Sequence, residues 1–184
     1  MCVNLSARQL RQPDLVGQVM RVLHETGLGP ADLQLEVTER VIAEEENAIA
    51  TLGALKDLGV QLAIDDFGTG YSSLSSLRRL PIDTLKVDPS FAQELTRDAG
   101  ARAVMRAVTS LAHELGMHVV SEGIETAADF EVVRSLGVDI GQGYYFGRAV
   151  PAADLAEWLK QGRWHVGMEQ QPENWTAQGV LPNP

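Results

Sequence analysis

Apolar residues recur along this chain in two rhythms that take turns. Short stretches alternate apolar with polar positions, as half-buried strands do, and longer stretches between them repeat apolar residues every third or fourth position, as amphipathic helices do. Residues 1–5 read as the end of a strand with no hairpin or cap before it, the mark of a piece of a longer chain. Pro13 and Asp14 open a helix whose stripe is Leu15, Val19, Val22 and Leu23 and whose stop is Gly27. A strand over residues 33–38 is followed by a helix over 44–58, with Ile49, Leu52 and Leu55 on one side and Gly59 as its C-terminal cap. Strand 60–65 leads to a short helix near 72–80, closed by Pro81. Strand 84–87 carries Lys86, and after Pro89 one long helix runs to about residue 115 through Val104, Val108 and Leu111. Strand 117–121 ends at Glu122, a helix over 127–136 stops at Gly137, strand 138–141 delivers Gln142, and a last helix spans 152–160.

Alternating strands and helices define an α/β chain with parallel neighbours. In an open sheet covered by helices on both faces, both lanes of a central strand are apolar. Here they differ. Leu35 and Val37 alternate with Gln34, Glu36 and Thr38; Leu62 and Ile64 with Gln61, Ala63 and Asp65; Leu85 and Val87 with Thr84, Lys86 and Asp88. One lane suits a helix layer, the other a narrow polar interior. A TIM-like β/α barrel explains both, because its strands send polar residues to a shared mouth at their C-terminal ends. About six strands are legible where such a barrel has eight, so about two are expected upstream of residue 1.

Charge and composition narrow the function. The 184 residues carry a net charge of −10, and 45% are hydrophobic, which fits one globular domain over residues 1–162. Residues 163–184 are polar, aperiodic and rich in Pro and Asn, and read as a poorly ordered tail. The acidic balance argues against nonspecific duplex binding, and an anionic substrate would need metal ions to invert the local sign. A single cysteine, Cys2, excludes an internal disulfide framework, and no apolar run approaches the roughly 20 residues of a membrane span. A cytoplasmic setting is the expectation, with any membrane anchor lying in a domain outside this chain.

The chemistry centres on L-A-I-D-D-F-G-T-G-Y-S-S-L at residues 62–74. Asp65 and Asp66 are adjacent carboxylates at a strand terminus, and keeping both ionised in a partly dry place is costly unless a cation sits between them. Oxygen-only ligation favours Mg²⁺ or Mn²⁺ over zinc. Taken alone, such a pair could equally cap a turn. Other strand ends add Asn4, Glu36, Lys86 with Asp88, Glu122 with Glu125, and Gln142. Individually, Asn4 could cap a turn with Ser6, Glu39 could favour a helix dipole, and Lys86 with Asp88 could be a plain ion pair. Solvated charges have no reason to choose the inward lane repeatedly. The set suits two metal ions bridged by carboxylates, with Asn4 as a neutral ligand and Lys86 orienting or helping to deprotonate a water. His24, His113, His118 and His165 are poorly placed for catalysis.

N-L-S at Asn4, L-E-V-T-E at 35–39, D-D-F-G-T-G-Y-S-S-L at 65–74, K-V-D at 86–88, E-G-I-E-T at 122–126 and Q-G-Y-Y-F-G-R at 142–148 together resemble the EAL domain family of bacterial cyclic di-GMP phosphodiesterases. The resemblance covers about residues 3–160. It implies a modified eight-stranded β/α barrel that hydrolyses one bond of cyclic di-GMP to the linear pGpG with two Mg²⁺ or Mn²⁺ ions. Metal ligands would be Asn4, Glu36, Asp65, Glu122 and, at the second ion, Asp66. Lys86 would assist the attacking water, with Asp88 in support. Gln142 would contact water or substrate, Glu125 would support the site, and Glu39 would tether the loop at 66–74. The loop and helix after Asp66 would also serve a homodimer. The Glu-Ala-Leu strand that names the family, with a further metal ligand, would lie upstream of residue 1. For residues 1–184 alone the expectation is therefore weak or absent turnover. A cyclic di-GMP sensor or interaction module without hydrolysis is the alternative.

Overall fold

The computed structural model describes residues 1–45, 47–68 and 77–160. Among them six strands form one parallel sheet in chain order: β1 (Cys2–Asn4), β2 (Gln34–Thr38), β3 (Gln61–Phe67), β4 (Thr84–Val87), β5 (His118–Ser121) and β6 (Ile140–Gly141). Each strand pairs only with its sequence neighbours, the order a β/α barrel requires. Helices α1 (Ala7–Leu10) and α2 (Leu15–Thr26) join β1 to β2, and α3 (Glu39–Glu44) and α4 (Ala48–Asp57) join β2 to β3. Beyond β4 come α5 (Pro89–Leu95) and α6 (Ala99–Glu114), then α7 (Ala127–Ser135) after β5 and α8 (Ala152–Lys160) after β6. The helix expected near residues 72–80 lies largely outside the described residues, and the segment 163–184 wholly so.

The two lanes separate as the pattern requires. Val37, Leu62, Ile64, Leu85, Val87 and Val119 are buried against the helices, in one core with Leu52, Leu55, Leu95 and Met105. Opposite them, Gln34, Glu36, Ala63, Asp65, Thr84 and Lys86 face the concave side. Concavity is visible in the bonds: the Gln34 side-chain amide on β2 donates to the Thr84 hydroxyl on β4 over 2.9 Å. Strands two apart in a flat sheet stand about 10 Å from each other, so the sheet curls around this lane.

Three helix expectations need correction. The helix expected over 44–58 starts at Ala48, and a separate α3 precedes it, because the Thr38 hydroxyl accepts the Val41 N–H and Glu45 is extended. The long helix after Pro89 is two. Asp98 adopts extended backbone and its carboxylate accepts the Gly100 N–H at 2.7 Å, an N-cap that starts α6 afresh. The expected stripes are also rotated. α6 buries Ala101, Met105, Thr109 and Ala112, while Val104 is exposed; α4 buries Ala48 rather than Ile49; and Val22 of α2 is exposed. The buried faces of α4 and α6 include the small residues Ala48, Ala101 and Ala112, which the periodicity of large residues does not register. At the front edge, α2 and β1 leave an apolar groove of about 540 Å³ lined by Val3, Val19, Val22 and Leu28.

One device occurs twice at the N-terminal ends of the strands. The Asp83 carboxylate, just before β4, accepts the Leu62 N–H of β3 at 2.8 Å and Lys56 Nζ of α4 at 2.6 and 2.7 Å. The Asp139 carboxylate, just before β6, accepts the Val119 N–H of β5 at 2.7 Å and lies 2.9 Å from His113 Nε2 of α6. Each clamp ties a helix end to the strand that follows it and to the next strand's start. Asp83→Ala strands a backbone N–H and an ammonium, and we expect a loss of about 1–3 kcal/mol in urea unfolding, with Lys56→Met costing less because its partner keeps the backbone bond.

Candidate active site

Three carboxylates converge on one ammonium at the C-terminal ends of the strands. Lys86 Nζ lies 3.0 Å from Glu36 Oε2, 3.0 Å from Asp65 Oδ1 and 2.8 Å from Glu122 Oε1. Parity explains the meeting: these residues sit in the inward lane of β2, β3 and β4, with Glu122 just past β5. The Lys86 side chain is 8% exposed, and so is that of Glu36. Burial by itself pushes the ammonium pKa down, but hydrogen bonds to Glu122, Asp65 and Glu36, with the Asp65 charge, outweigh it and hold Lys86 above the ordinary lysine value. Lys86 is thus a charged donor. In that form it can orient a water oxygen.

The end of β3 is irregular in a way that aims its carboxylates. Pairing with β4 shifts register between Ile64 and Phe67, and Asp66 has φ of 54°, a left-handed conformation that Asp tolerates better than most residues. Burial, then repulsion from Asp65 and Asp88, raise the Asp66 pKa above the usual carboxylate value against the pull of Lys86. Gly68 follows with φ of 102°, and a Cβ there would stand 2.5 Å from the Phe91 ring. Its N–H donates to Glu39 Oε2 at 3.2 Å. Glu39 is buried at the start of α3, so the β2–α3 junction holds the first residue beyond the β3 strand.

The remaining expected residues border the cluster to different degrees. Asn4 is exposed at the end of β1, in register with Glu36. Asp88 caps α5, its Oδ1 accepting the Ser90 N–H at 2.8 Å, while its charge still acts on Asp66. Gln142 follows β6 and is exposed; its backbone accepts from Ile124 and donates to Ser121. Glu125 is exposed, at a position the structure does not bring to Lys86. Histidine takes no part among the described residues: His113 serves the Asp139 clamp, and His118 starts β5 at the end away from Glu122. Gln34 and Thr84 fall in the inward lane two positions before Glu36 and Lys86, and only their mutual bond distinguishes them from other polar lane residues.

Among the described residues no three His, Cys, Asp or Glu side chains stand arranged to hold a metal ion. The donor set nonetheless fits a hard divalent cation. Glu36, Asp65 and Glu122 are oxygen donors already gathered about one positive charge, and Asp66 adds a fourth carboxylate close to Asp65.

Oxygen donors gathered at the C-terminal edge of a curled parallel sheet follow the plan of the β/α-barrel fold class. Within that class, residues 2–149 match the EAL domain, and the chain belongs to the EAL domain family. It is 41% identical over 163 residues to the Pseudomonas aeruginosa cyclic di-GMP phosphodiesterase NbdA, an alignment covering 88% of this chain and 21% of that protein. The chain spans about a fifth of the length of the curated relatives it matches. Among solved structures it is similar to the PaMucR phosphodiesterase in complex with c-di-GMP, at 41% identity and a TM-score of 0.79 over 84% of this chain and 63% of that one. A manganese/cy-diGMP complex of Klebsiella pneumoniae BlrP1 is similar at 36% identity and a TM-score of 0.75, over 80% of this chain and 38% of that one. BlrP1 is also known as a calcium/cy-diGMP complex.

Two expectations follow for the metal-free chain. Lys86→Met leaves three carboxylates without their counter-charge and lowers stability by about 3–5 kcal/mol in urea unfolding, part of which Mn²⁺ restores. For Asp66, a raised pKa in the folded state means that stability falls as pH rises from the unfolded to the folded value and stays lower above it. Asp66→Asn removes that loss and keeps a residue tolerant of positive φ. Its thermal midpoint lies above that of the wild type at neutral pH, and the gap closes as pH falls below the ordinary carboxylate range.

Proposed function

We propose that this chain forms the greater part of a cyclic di-GMP phosphodiesterase domain that hydrolyses one phosphodiester bond to give the linear pGpG. The observation that carries this reading is the meeting of Glu36, Asp65 and Glu122 on Lys86, with Asp66 beside it. Membership of the EAL family and the cyclic di-GMP ligands of similar structures support the choice of substrate. Two Mg²⁺ or Mn²⁺ ions would be held by Asn4, Glu36, Asp65, Glu122 and Asp66. Bound ions supply positive charge that polarises the phosphoryl group and acidifies a water.

The chain's own residues do the rest. Lys86, fixed by three carboxylates, donates a hydrogen bond that orients the attacking water. Glu36, Asp65 and Glu122 make the net charge of the lane negative, which draws divalent cations and repels a bare phosphodiester until those cations are present. Asp88 adds to that field while fixing the start of α5. Glu39 holds Gly68, and through it the exit of the loop that follows Asp66. Gln142 would contact water or substrate, and Glu125 would support the site from nearby. A homodimer formed through the loop and helix after Asp66 belongs to the same proposal.

The test is product analysis by chromatography after incubating cyclic di-GMP with Mg²⁺ or Mn²⁺, on the chain alone and extended upstream. The expected product is pGpG from the extended form, with turnover reduced at least about a hundredfold in Asp65→Asn. The chain alone is expected to turn over weakly. Binding of cyclic di-GMP without product in the extended form would make the domain a sensor, and loss of both would make it an interaction module.

A further inference from the structure

Beneath the carboxylate cluster lies a second, uncharged polar layer. Gln34 Nε2 donates to Thr84 Oγ1 at 2.9 Å, and Cys2 Sγ lies 3.3 Å from Gln34 Oε1. This layer copies the geometry of the one above it. Gln34 and Glu36 are lane neighbours on β2, Thr84 and Lys86 on β4, and both crossing bonds join residues 50 apart in sequence. The common offset is not what simple pairing gives. Through β3, Glu36 is level with Ala63 and hence with Thr84, yet it bonds Lys86 two residues further on. Gln34 is level with Gln61 and bonds Thr84, two residues beyond Ile82. Both bonds therefore record the same stagger of β2 against β4.

The strand between them leaves the way open. Ala63 presents only a methyl group in the inward lane between Gln61 and Asp65, so the Gln34 and Glu36 side chains cross β3 above and below it. A side-chain amide is well suited to the lower crossing, since it can donate to one hydroxyl and accept from the Cys2 thiol at the same time. Thr84 is buried, so its hydroxyl has few alternatives. Neither group carries charge, and neither reaches the Lys86 ammonium.

We propose that Gln34 and Thr84 are positioning residues: their bond fixes the stagger of β2 and β4, and thereby the place at which Glu36 presents its carboxylate to a divalent cation. This rests on the reading of Glu36 as a metal ligand. Supporting partners of ligand residues commonly change metal affinity by about tenfold or more without touching the ion.

The test is a Mn²⁺ titration of the intact chain, followed by the paramagnetic resonance of the free ion, for Thr84→Val, Thr84→Ser, Gln34→Met and the Gln34→Met/Thr84→Val pair. Thr84→Val keeps shape and removes the hydroxyl; its dissociation constant for Mn²⁺ rises about tenfold, and Thr84→Ser restores the wild-type value. Gln34→Met weakens binding to a similar degree, and the double variant is no weaker than the weaker single one. Urea unfolding without metal confirms that each variant is folded at the titration temperature. Should Gln34→Met fail to fold, the Val and Ser variants at position 84 decide alone. Wild-type affinity in Thr84→Val, or losses that add in the double variant, overturns the proposal. Glu36→Gln separates it from its premise: unchanged Mn²⁺ binding there removes Glu36 as a ligand and the positioning role with it, whereas weakened binding there with a normal Thr84→Val removes only the positioning role.

Discussion

Like charges brought together in a half-dry place must be compensated, and at the mouth of this sheet one ammonium does so for three carboxylates. Lys86 reaches Glu36, Asp65 and Glu122 only because the sheet curls, and the sheet curls because its helices cover one lane while the other is too polar to accept a second layer. Remove the curl and the three anions stand on separate strands with no shared partner. Remove the ammonium and their repulsion works against the curl. Fold and site are thus two views of one electrostatic arrangement.

That arrangement is incomplete in one respect. Asp66 lies close to Asp65 and Asp88, and burial first, then their charges, raise its pKa above the usual carboxylate value. The charge sits on a backbone with positive φ, two residues before a glycine whose Cβ position Phe91 occupies, so the backbone at this corner is tightly constrained.

The fold class was legible because two independent signals agreed: helix and strand periods alternated, and the strands showed one apolar and one polar lane. Most of the cluster was legible for the same reason, since lane parity puts Glu36, Asp65 and Lys86 on one side. Helix details were not. The break at Asp98 depends on a single carboxylate accepting a backbone N–H, and the buried face of α6 is set partly by the small residues Ala101 and Ala112; neither leaves a trace in the spacing of large apolar residues. The Gln34–Thr84 bond was out of reach in another way. Each residue reads as an ordinary polar lane position until curvature brings β2 and β4 together.

The clamps at Asp83 and Asp139 give the opposite end of the strands a different character. There Asp83 and Asp139 each have a backbone N–H and a basic side chain of their own, whereas at the mouth several carboxylates share one lysine. The two ends consequently have separate histories open to them. Residues at the mouth could be exchanged for a new chemistry while the clamped end went on specifying the same barrel, so descendants of this chain could lose or change the reaction and still be recognisable by their folded shape.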